Sequence, residues 1–190
     1  MMMKPKDYIL GSQSKHRLNL LETIGYLPKE VCGADIDETP FDKEKPTEYV
    51  KRMAKEKALK VAGLHKGEVV LASDTIIVVG RRIIQKASSP EEQAKVMHLL
   101  SGTANKVLTA ICVVDRNGKA MVRVSETKVY LKRLSSKEIQ EYVDCQEWVG
   151  CAGYAIEGKL QGYVKKIVGS YSSVVGIDLY VTKQLLDGVL

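Results

Sequence analysis

An apolar run with a single carboxylate in its middle constrains the fold of this chain more than any other stretch. The run extends from Glu68 to Gly80, is rich in Val and Ile, and contains Asp74. Such a composition predicts a buried strand. A buried charge is costly unless it is paired, hydrogen-bonded or bound to a cation. Asp74 is therefore either a structural residue that accepts nearby N–H groups or part of a ligand site, and this stretch alone leaves both interpretations open.

Length and composition indicate one soluble globular domain. The chain has 190 residues, of which 45% are hydrophobic and 27% are charged, which is ordinary for a domain that buries its own core. We therefore expect a single domain over residues 1–190. The 29 basic and 23 acidic residues leave a net charge of +6, which favours anionic ligands without distinguishing a nucleotide from nucleic acid or from no partner.

The cysteines and the hydropathy pattern favour a cytoplasmic location. Cys145 and Cys151 are the closest pair among the four cysteines, and none has the spacing of a zinc site. We expect reduced thiols, because no secretory signal is evident at the N-terminus. No apolar run approaches the roughly 20 residues that a membrane span requires, so no membrane role is predicted.

A strand, a tight turn and a helix are predicted near the N-terminus. Tyr8–Leu10 is a short apolar run, Gly11–Ser14 follows as a turn, and leucines then recur at helical spacing. Ser14 is a suitable N-cap, and the free N–H groups behind it favour an anion such as phosphate. A plain capped helix with a solvated basic first turn is the alternative.

Three carboxylates follow in a segment that Pro40 ends. Alternation in an extended segment predicts Asp35 and Asp37 on one side and Glu38 on the other. Clustered oxygens suit a hard divalent cation. A solvated acidic loop explains the same residues.

An amphipathic helix is predicted over Thr47–Ala62, with Lys57 on its apolar stripe. A lysine in that position must either extend its amine to solvent or find an anion.

The remaining chain predicts alternating strands and helices with two segments rich in glycine. Pro90 begins a helix that Ser89 caps, and Ser135 caps another. The further predicted elements are a hairpin at 79–84, an antiparallel pair at 106–114 and 120–131, a strand at 162–168 and a helix at 180–186. The segments 150–158 and 169–176 suit either a close approach to a ligand or irregular connections.

Together these features predict an α/β crevice that holds a polyphosphate beside carboxylates, and hence hydrolysis of a nucleotide. No Gly-rich loop ending in Gly-Lys-Ser/Thr and no dinucleotide-binding glycine pattern is present.

Seven segments in order resemble the motifs of the Maf family of nucleoside triphosphate pyrophosphatases. They are SQSKHR at 12–17 with LL at 20–21, DIDE at 35–38, YV at 49–50 through EKA at 56–58, ASDT at 72–75, LSG at 100–102, AGYAIEG at 152–158 and GSYSSVVG at 169–176. The resemblance implies an α/β, Maf/Ham1-like (ITPase-like) fold, an elongated mixed sheet flanked by helices with two lobes around a deep cleft. It also implies hydrolysis of a nucleoside triphosphate to the monophosphate and pyrophosphate with Mg²⁺ or Mn²⁺, and a homodimer in keeping with other members.

The same resemblance assigns roles to seven residues. Glu38 and Asp74 are the acidic pair that holds the metal and orients the attacking water, with Asp74 as general base or solely as metal ligand. The substrate-binding residues are Ser12 and Arg17 on the phosphates, Lys57 and Lys86 on the triphosphate, and Glu157 at the base.

Four positions depart from the family pattern. His16 replaces an arginine, so a fixed charge becomes one that changes near neutral pH, and activity is expected to rise at mildly acidic pH. Ala87 replaces a proline, which is expected to loosen its loop. Asn105 replaces a histidine and Asp178 a proline.

The identity of the base is the least constrained feature. The segments 152–156 and 169–171 resemble the branch that acts on dTTP and UTP, which usually has Gln where this chain has Glu157. Glu resembles the branch that acts on 7-methyl-GTP, because a carboxylate only accepts and guanine offers N–H donors. We favour dTTP, UTP and modified pyrimidine nucleotides, and expect Glu157→Gln to raise their turnover relative to guanine nucleotides. A non-catalytic nucleic-acid or protein-binding regulator of cell division is the alternative from another class.

Overall fold

A mixed seven-stranded sheet forms the centre of the molecule. The computed structural model describes residues 4–190. The strands are β1 (Lys6–Leu10), β2 (Pro28–Val31), β3 (Val70–Val79), β4 (Arg82–Ile84), β5 (Ala104–Val114), β6 (Ala120–Leu131) and β7 (Val164–Val168). Six of them lie in the order β2-β1-β3-β5-β6-β7, and β4 pairs with β3. The strand β1 is parallel to both β2 and β3, and the other pairs are antiparallel.

Six helices flank this sheet. They are α1 (Lys15–Thr23), α2 (Pro46–Leu64), α3 (Pro90–Leu100), α4 (Ser136–Asp144), α5 (Tyr171–Val175) and α6 (Leu179–Asp187). A 3-10 turn covers Lys159–Tyr163. None of the helices within residues 4–190 is long and apolar enough to cross a membrane.

The two faces of β3 are packed differently. Its even-numbered apolar residues lie in the cluster that contains the buried stripe of α2, with Val50, Met53, Ala54, Ala58 and Val61. On the opposite face, Leu71 belongs to a cluster with α1 and α6, whereas Ile77 belongs to another with α3 and α4. Because side chains alternate along a strand, Asp74 faces the α2 side, and Ser73 and Thr75 lie on the other face, between the two clusters.

Most local predictions are confirmed. Ser14, Ser89 and Ser135 cap α1, α3 and α4 through their side chains, and Pro90 is the first residue of its helix. Two local predictions need correction. The strand predicted from residue 162 begins at Val164, because the 3-10 turn precedes it. The segment 169–176, expected to be an irregular connection or a close approach to a ligand, contains the short helix α5, which Ser170 caps.

Candidate active site

A cleft of about 900 Å³ opens beside the middle of β3. Its walls come from the β1–α1 turn, the segment before α2, the strands β3 and β4, the loop at 149–157 and the end of α5. All seven residues to which the family resemblance assigns a role lie in this wall: Ser12, Arg17, Glu38, Lys57, Asp74, Lys86 and Glu157. The structure therefore brings the seven residues to one cavity, whereas their individual roles stay predictions.

Lys57 joins the two acids at the centre of the cleft. Its Nζ lies 2.6 Å from Oδ1 of Asp74 and 2.7 Å from Oε1 of Glu38. The side chains of Lys57 and Asp74 are each 12% exposed, and that of Glu38 is 46% exposed. A lysine on the apolar stripe of α2 thus meets the carboxylate inside β3, and each compensates for the burial of the other.

The charge environment keeps Glu38 ionised. Partial burial alone would raise the pKa of Glu38, but the hydrogen bond and charge of Lys57, with the charges of Lys86 and Arg17, hold it below its usual value. Burial raises the pKa of the neighbouring Tyr49 to about 12, and the charges of Asp74 and Glu38 act in the same direction. The Tyr49 hydroxyl donates to the backbone carbonyl of Glu38 at 2.8 Å, which fixes the segment that carries this acid.

Arg17 is fixed by two hydrogen bonds beside the acids. Its Nε donates to the carbonyl of Gly176 at 2.9 Å, and an outer guanidinium nitrogen donates to Oγ of Ser12 at 3.0 Å. Burial lowers the pKa of Arg17, and the charges of Asp74 and Glu38 oppose that shift. A guanidinium keeps its charge even so, so this side of the cleft holds a permanent cation at the start of α1.

The backbone carbonyl of Gly176 accepts three side-chain hydrogen bonds that the sequence did not predict. Besides Arg17, it accepts from Oγ of Ser73 at 3.0 Å and from Oγ1 of Thr75 at 3.3 Å. Gly176 has φ +142, and a Cβ there would lie 3.1 Å from Nε of Arg17. The alternation of Ser73 and Thr75 around Asp74 is the sequence signal that points to a second polar contact on the opposite face of β3.

Lys86 and Glu157 lie on the loop side of the cleft. Lys86 forms an isolated antiparallel bridge with Ala152, which places it against the glycine-rich loop. Oε2 of Glu157 lies 2.5 Å from Nδ1 of His16, whose side chain is 56% exposed. His16 therefore contacts the predicted base-reading residue across the cleft.

Three buried side chains fix the loop that carries Glu157. Gln93 donates to the carbonyl of Gly153 at 2.7 Å, the Tyr154 hydroxyl donates to Asn105 at 2.8 Å, and the hydroxyl of Tyr142 accepts from the backbone N–H of Ala155 at 3.0 Å. Gln93, Tyr142 and the partner role of Asn105 were not predicted from sequence. Asn105, which departs from the family pattern, thus accepts a hydrogen bond from the Tyr154 hydroxyl.

The departure at residue 178 also has a structural role. Asp178 caps α6 by accepting from the backbone N–H groups of Tyr180 and Val181 at 3.1 and 3.2 Å. Its other oxygen accepts from the hydroxyl of Ser125 at 2.6 Å.

The predicted arrangement of the acidic segment is wrong. Asp35 and Glu38 line the cleft, whereas Asp37 is exposed and its carboxylate accepts the backbone N–H of Thr39 at 2.9 Å. The segment is not a strand, so the alternation that placed Asp35 beside Asp37 does not apply. The physical cause is this local contact between Asp37 and Thr39, which holds the backbone around Glu38 in an irregular conformation.

Fold and cleft together define an α/β protein whose cleft places the cations of Arg17 and Lys57 beside the acidic pair Glu38 and Asp74. The family follows from the sequence comparison. The chain belongs to the family described as Maf-like protein, whose model matches residues 7–189, and the predicted resemblance is confirmed.

Similar proteins cover nearly the whole chain. A dTTP/UTP pyrophosphatase of Agrobacterium fabrum is 44% identical over 187 residues, which cover 95% of this chain and 90% of the relative. A dTTP/UTP pyrophosphatase of Zymomonas mobilis subsp. mobilis is 46% identical, with 94% and 89% covered. A nucleoside triphosphate pyrophosphatase of Neorickettsia sennetsu is 43% identical, with 96% and 88% covered.

Solved structures confirm the predicted fold class. The Ham1 protein of Staphylococcus aureus matches with a TM-score of 0.52 and 16% identity, covering 96% of this chain and 99% of that protein. A HAM1 protein from Coxiella burnetii matches with a TM-score of 0.51 and 16% identity, covering 99% and 100%.

Proposed function

We propose that this protein is a nucleoside triphosphate pyrophosphatase that hydrolyses dTTP, UTP and modified pyrimidine nucleotides to the monophosphate and pyrophosphate. The observation that carries the proposal is the contact of Lys57 with both Glu38 and Asp74, beside the fixed Arg17. Membership in the Maf-like family and the names of the relatives support the same activity.

The cations of the cleft would bind the triphosphate. Arg17, the hydroxyl of Ser12 and the first N–H groups of α1 offer donors to phosphate oxygens. Lys86 faces them from the loop side. Once a triphosphate is present, Lys57 can exchange a carboxylate for a phosphate oxygen, which frees Asp74 to accept a proton.

The reaction is a displacement at the α-phosphorus. A water oxygen forms a new P–O bond, the bond from that phosphorus to the bridging oxygen breaks, and pyrophosphate leaves. Asp74 would accept the proton of the attacking water as general base, as an acid within hydrogen-bond reach of the water can. The positive charges of Arg17 and Lys86 would stabilise the charge that develops on the phosphates.

A divalent cation, Mg²⁺ or Mn²⁺, belongs to the proposal. The donor set fits, because Glu38 and Asp74 direct carboxylate oxygens at one point, now occupied by the Lys57 amine. No cluster of three or more His, Cys, Asp or Glu side chains within residues 4–190 is arranged to hold a metal, so water and phosphate oxygens would supply the remaining ligands, as they commonly do for Mg²⁺. When bound, such a cation neutralises phosphate charge and acidifies water.

Release of pyrophosphate from a nucleotide panel tests the proposal. The purified protein is incubated with Mg²⁺ and dTTP, UTP, CTP, GTP, ATP or 7-methyl-GTP, and pyrophosphate and monophosphate are quantified. We expect release from dTTP and UTP, abolished in Asp74→Asn and reduced at least about 100-fold in Glu38→Gln. Asp37→Asn is the matched control, because Asp37 belongs to the same segment and lies outside the cleft wall, and it should retain full activity.

Other outcomes would contradict the proposal in distinct ways. Release from 7-methyl-GTP alone would support the other branch of the family. No release from any nucleotide, with retention of labelled nucleic acid in a gel-shift assay, would favour a non-catalytic binding protein.

We further propose one catalytic domain over residues 1–190, a cytoplasmic location and a homodimer. These rest on the composition and on the family resemblance. Light scattering on the purified protein tests the dimer, and a mass of one chain would refute it.

A further inference from the structure

The segment that carries Glu38 is held from outside the cleft by one arginine of α2. The outer guanidinium nitrogen Nη2 of Arg52 donates to the backbone carbonyl of Thr39 at 3.0 Å. Nε and the same Nη2 donate to the two carboxylate oxygens of Glu44 at 2.8 and 2.7 Å. The ring of Phe41 covers the guanidinium, with 3.8 Å between Cζ and the ring centroid. A single side chain therefore contacts the segment at three residues after Glu38.

Arg52 itself is firmly fixed. The side chains of Arg52 and Glu44 are 16% and 9% exposed, and a two-point contact between guanidinium and carboxylate is stronger and more directional than a single hydrogen bond. The buried Val50 and Met53 flank Arg52 in α2, so the core holds its backbone. Neither Arg52 nor Glu44, both within the described residues 4–190, lines the cleft. The two side chains therefore contribute no donor or acceptor to a ligand there.

We propose that Arg52 is a positioning residue for the acidic pair, because its contacts with the chain after Glu38 set where the Glu38 carboxylate lies relative to Asp74. This inference rests on the proposed function, in which the two acids act together. Tyr49, about one turn earlier in α2, donates to the carbonyl of Glu38, and Lys57 contacts its carboxylate. Three residues of one helix thus hold the segment, and α2 fixes the spacing between them.

Glu38 requires this support because packing does not supply it. Its side chain is 46% exposed, whereas that of Asp74, in β3, is 12% exposed. In the described structure, residues 35–40 belong to neither a helix nor a strand, so no regular hydrogen-bond ladder holds them. A misplacement of about 1 Å at a reacting centre can slow a reaction about 100-fold. Loss of the Arg52 contacts should therefore affect the rate of reaction more than the affinity for substrate.

Separate measurement of kcat and KM for UTP, with the full-length protein and Mg²⁺, tests the inference. Arg52→Met keeps the aliphatic stem and loses every donor, and we expect kcat to fall at least about tenfold while KM changes less than about twofold. Arg52→Lys should recover only part of kcat, because an amine cannot replace the planar fork of donors. Lys51→Met is the matched control, because Lys51 pairs with the exposed Glu48, and both kinetic constants should stay unchanged.

A double-mutant cycle separates positioning from general destabilisation. Because Arg52 acts through Glu38, adding Arg52→Met to Glu38→Gln should lower the residual kcat less than about twofold. Hydrogen exchange provides a measurement besides activity. The backbone amides of residues 39–45 should exchange faster in Arg52→Met than in Lys51→Met, because the contacts that hold this segment are lost.

Three results would overturn the inference. They are a kcat of Arg52→Met within about twofold of Lys51→Met, an equal loss of kcat in the wild-type and Glu38→Gln backgrounds, and a rise in KM with kcat unchanged. Absence of pyrophosphate release by the wild type would refute the proposed function, and this inference with it.

Urea unfolding checks that each variant is folded. Should Arg52→Met not fold, or should Glu38→Gln be too slow for the cycle, Glu44→Gln decides the question through its own kcat and KM. It retains the shape of the side chain, breaks the two-point contact with Arg52 and lies outside the cleft wall. A loss of kcat at constant KM would support the inference, and unchanged kcat would overturn it.

Discussion

Replacement of Lys57 by Met would leave the acidic pair without its internal cation. Met retains the length of the aliphatic stem on the buried stripe of α2, so packing changes little. The charge that remains is the carboxylate of Asp74, whose side chain is 12% exposed. Lys57→Met therefore isolates the electrostatic contribution of the amine.

The magnitude follows mainly from Asp74. Removing one partner of a buried ion pair costs about 3 to 5 kcal/mol, whereas an exposed pair contributes less than about 1 kcal/mol. The pair of Lys57 with Asp74 is a buried ion pair. The pair of Lys57 with Glu38, whose side chain is 46% exposed, is closer to an exposed one. We expect a loss of about 3 kcal/mol at neutral pH, which for a chain of this length lowers Tm by about 6 to 12 °C.

The dependence on pH gives a second measurement of the same pair. The pKa of Glu38 lies below its ordinary value of 4.5 in the folded protein, so the ionised form stabilises the fold above that pH, and the stabilisation is lost as pH falls through the folded pKa. Lys57→Met removes the hydrogen bond and the charge of Lys57, which act together with the charges of Lys86 and Arg17 against the effect of burial on the pKa of Glu38. The stability difference between wild type and variant should therefore be largest at neutral pH and should shrink below about pH 4.5.

Urea unfolding of matched variants tests the predicted loss of stability in Lys57→Met. Lys60→Met replaces an exposed lysine of the same helix and should change the free energy of unfolding by less than about 0.5 kcal/mol. Lys57→Met with Asp74→Asn removes both charges and should recover part of the loss. Mg²⁺ should stabilise Lys57→Met more than wild type, because the amine no longer competes for the carboxylates. Equal unfolding of Lys57→Met and Lys60→Met would refute the reasoning.

Three further substitutions test the frame around the cleft. Gly169→Ala should destabilise the fold by at least about 1 kcal/mol in urea unfolding, because Gly169 has φ +127 and a Cβ would lie 2.9 Å from the Thr127 backbone. Gly162→Ala is the control, because a Cβ there would meet nothing within 4 Å. Equal losses of stability in the two variants would contradict the prediction of strain at Gly169. Asp178→Ala should lower the free energy of unfolding by about 1 to 2 kcal/mol through loss of the α6 cap. Asp178→Asn should retain most of the stability, because Asn can also cap a helix. Arg17→Lys should lower kcat/KM for UTP at least about tenfold, because an amine cannot replace two guanidinium contacts; unchanged activity would show that the guanidinium does not bind phosphate.

The helices and strands were predictable because their signals are local. Ser89 followed by Pro90 marks a helix start from chemistry within two residues, and the turn that contains Asp115 to Gly118 connects two strands that pair from residues 104 and 130 to residues 114 and 120. The order of the sheet was not predictable in the same way. β1 lies between β2 and β3, parallel to both, and nothing in a strand of five residues specifies two partners that lie later in the chain.

Within the cleft, sequence reasoning succeeded where a residue conflicts with its local pattern. Asp74 in a buried strand and Lys57 on an apolar stripe each required a partner, and the structure gives each to the other. Sequence reasoning failed where the contact is made by a backbone atom. The carbonyl of Gly176 accepts from Arg17 and two strand hydroxyls, and a main-chain acceptor has no residue type to reveal it. The acidic segment failed for another reason, because Asp37 forms a turn and removes the alternation that the prediction required.

The pair of His16 and Glu157 illustrates a limit of assigning roles position by position. By resemblance, one position loses a fixed positive charge on the phosphate side, and another gains a negative charge at the base. Taken separately, the first weakens phosphate binding and the second favours guanine. The structure places the two side chains in contact although 140 positions separate them in the chain, so both departures change the charge at one point of the cleft.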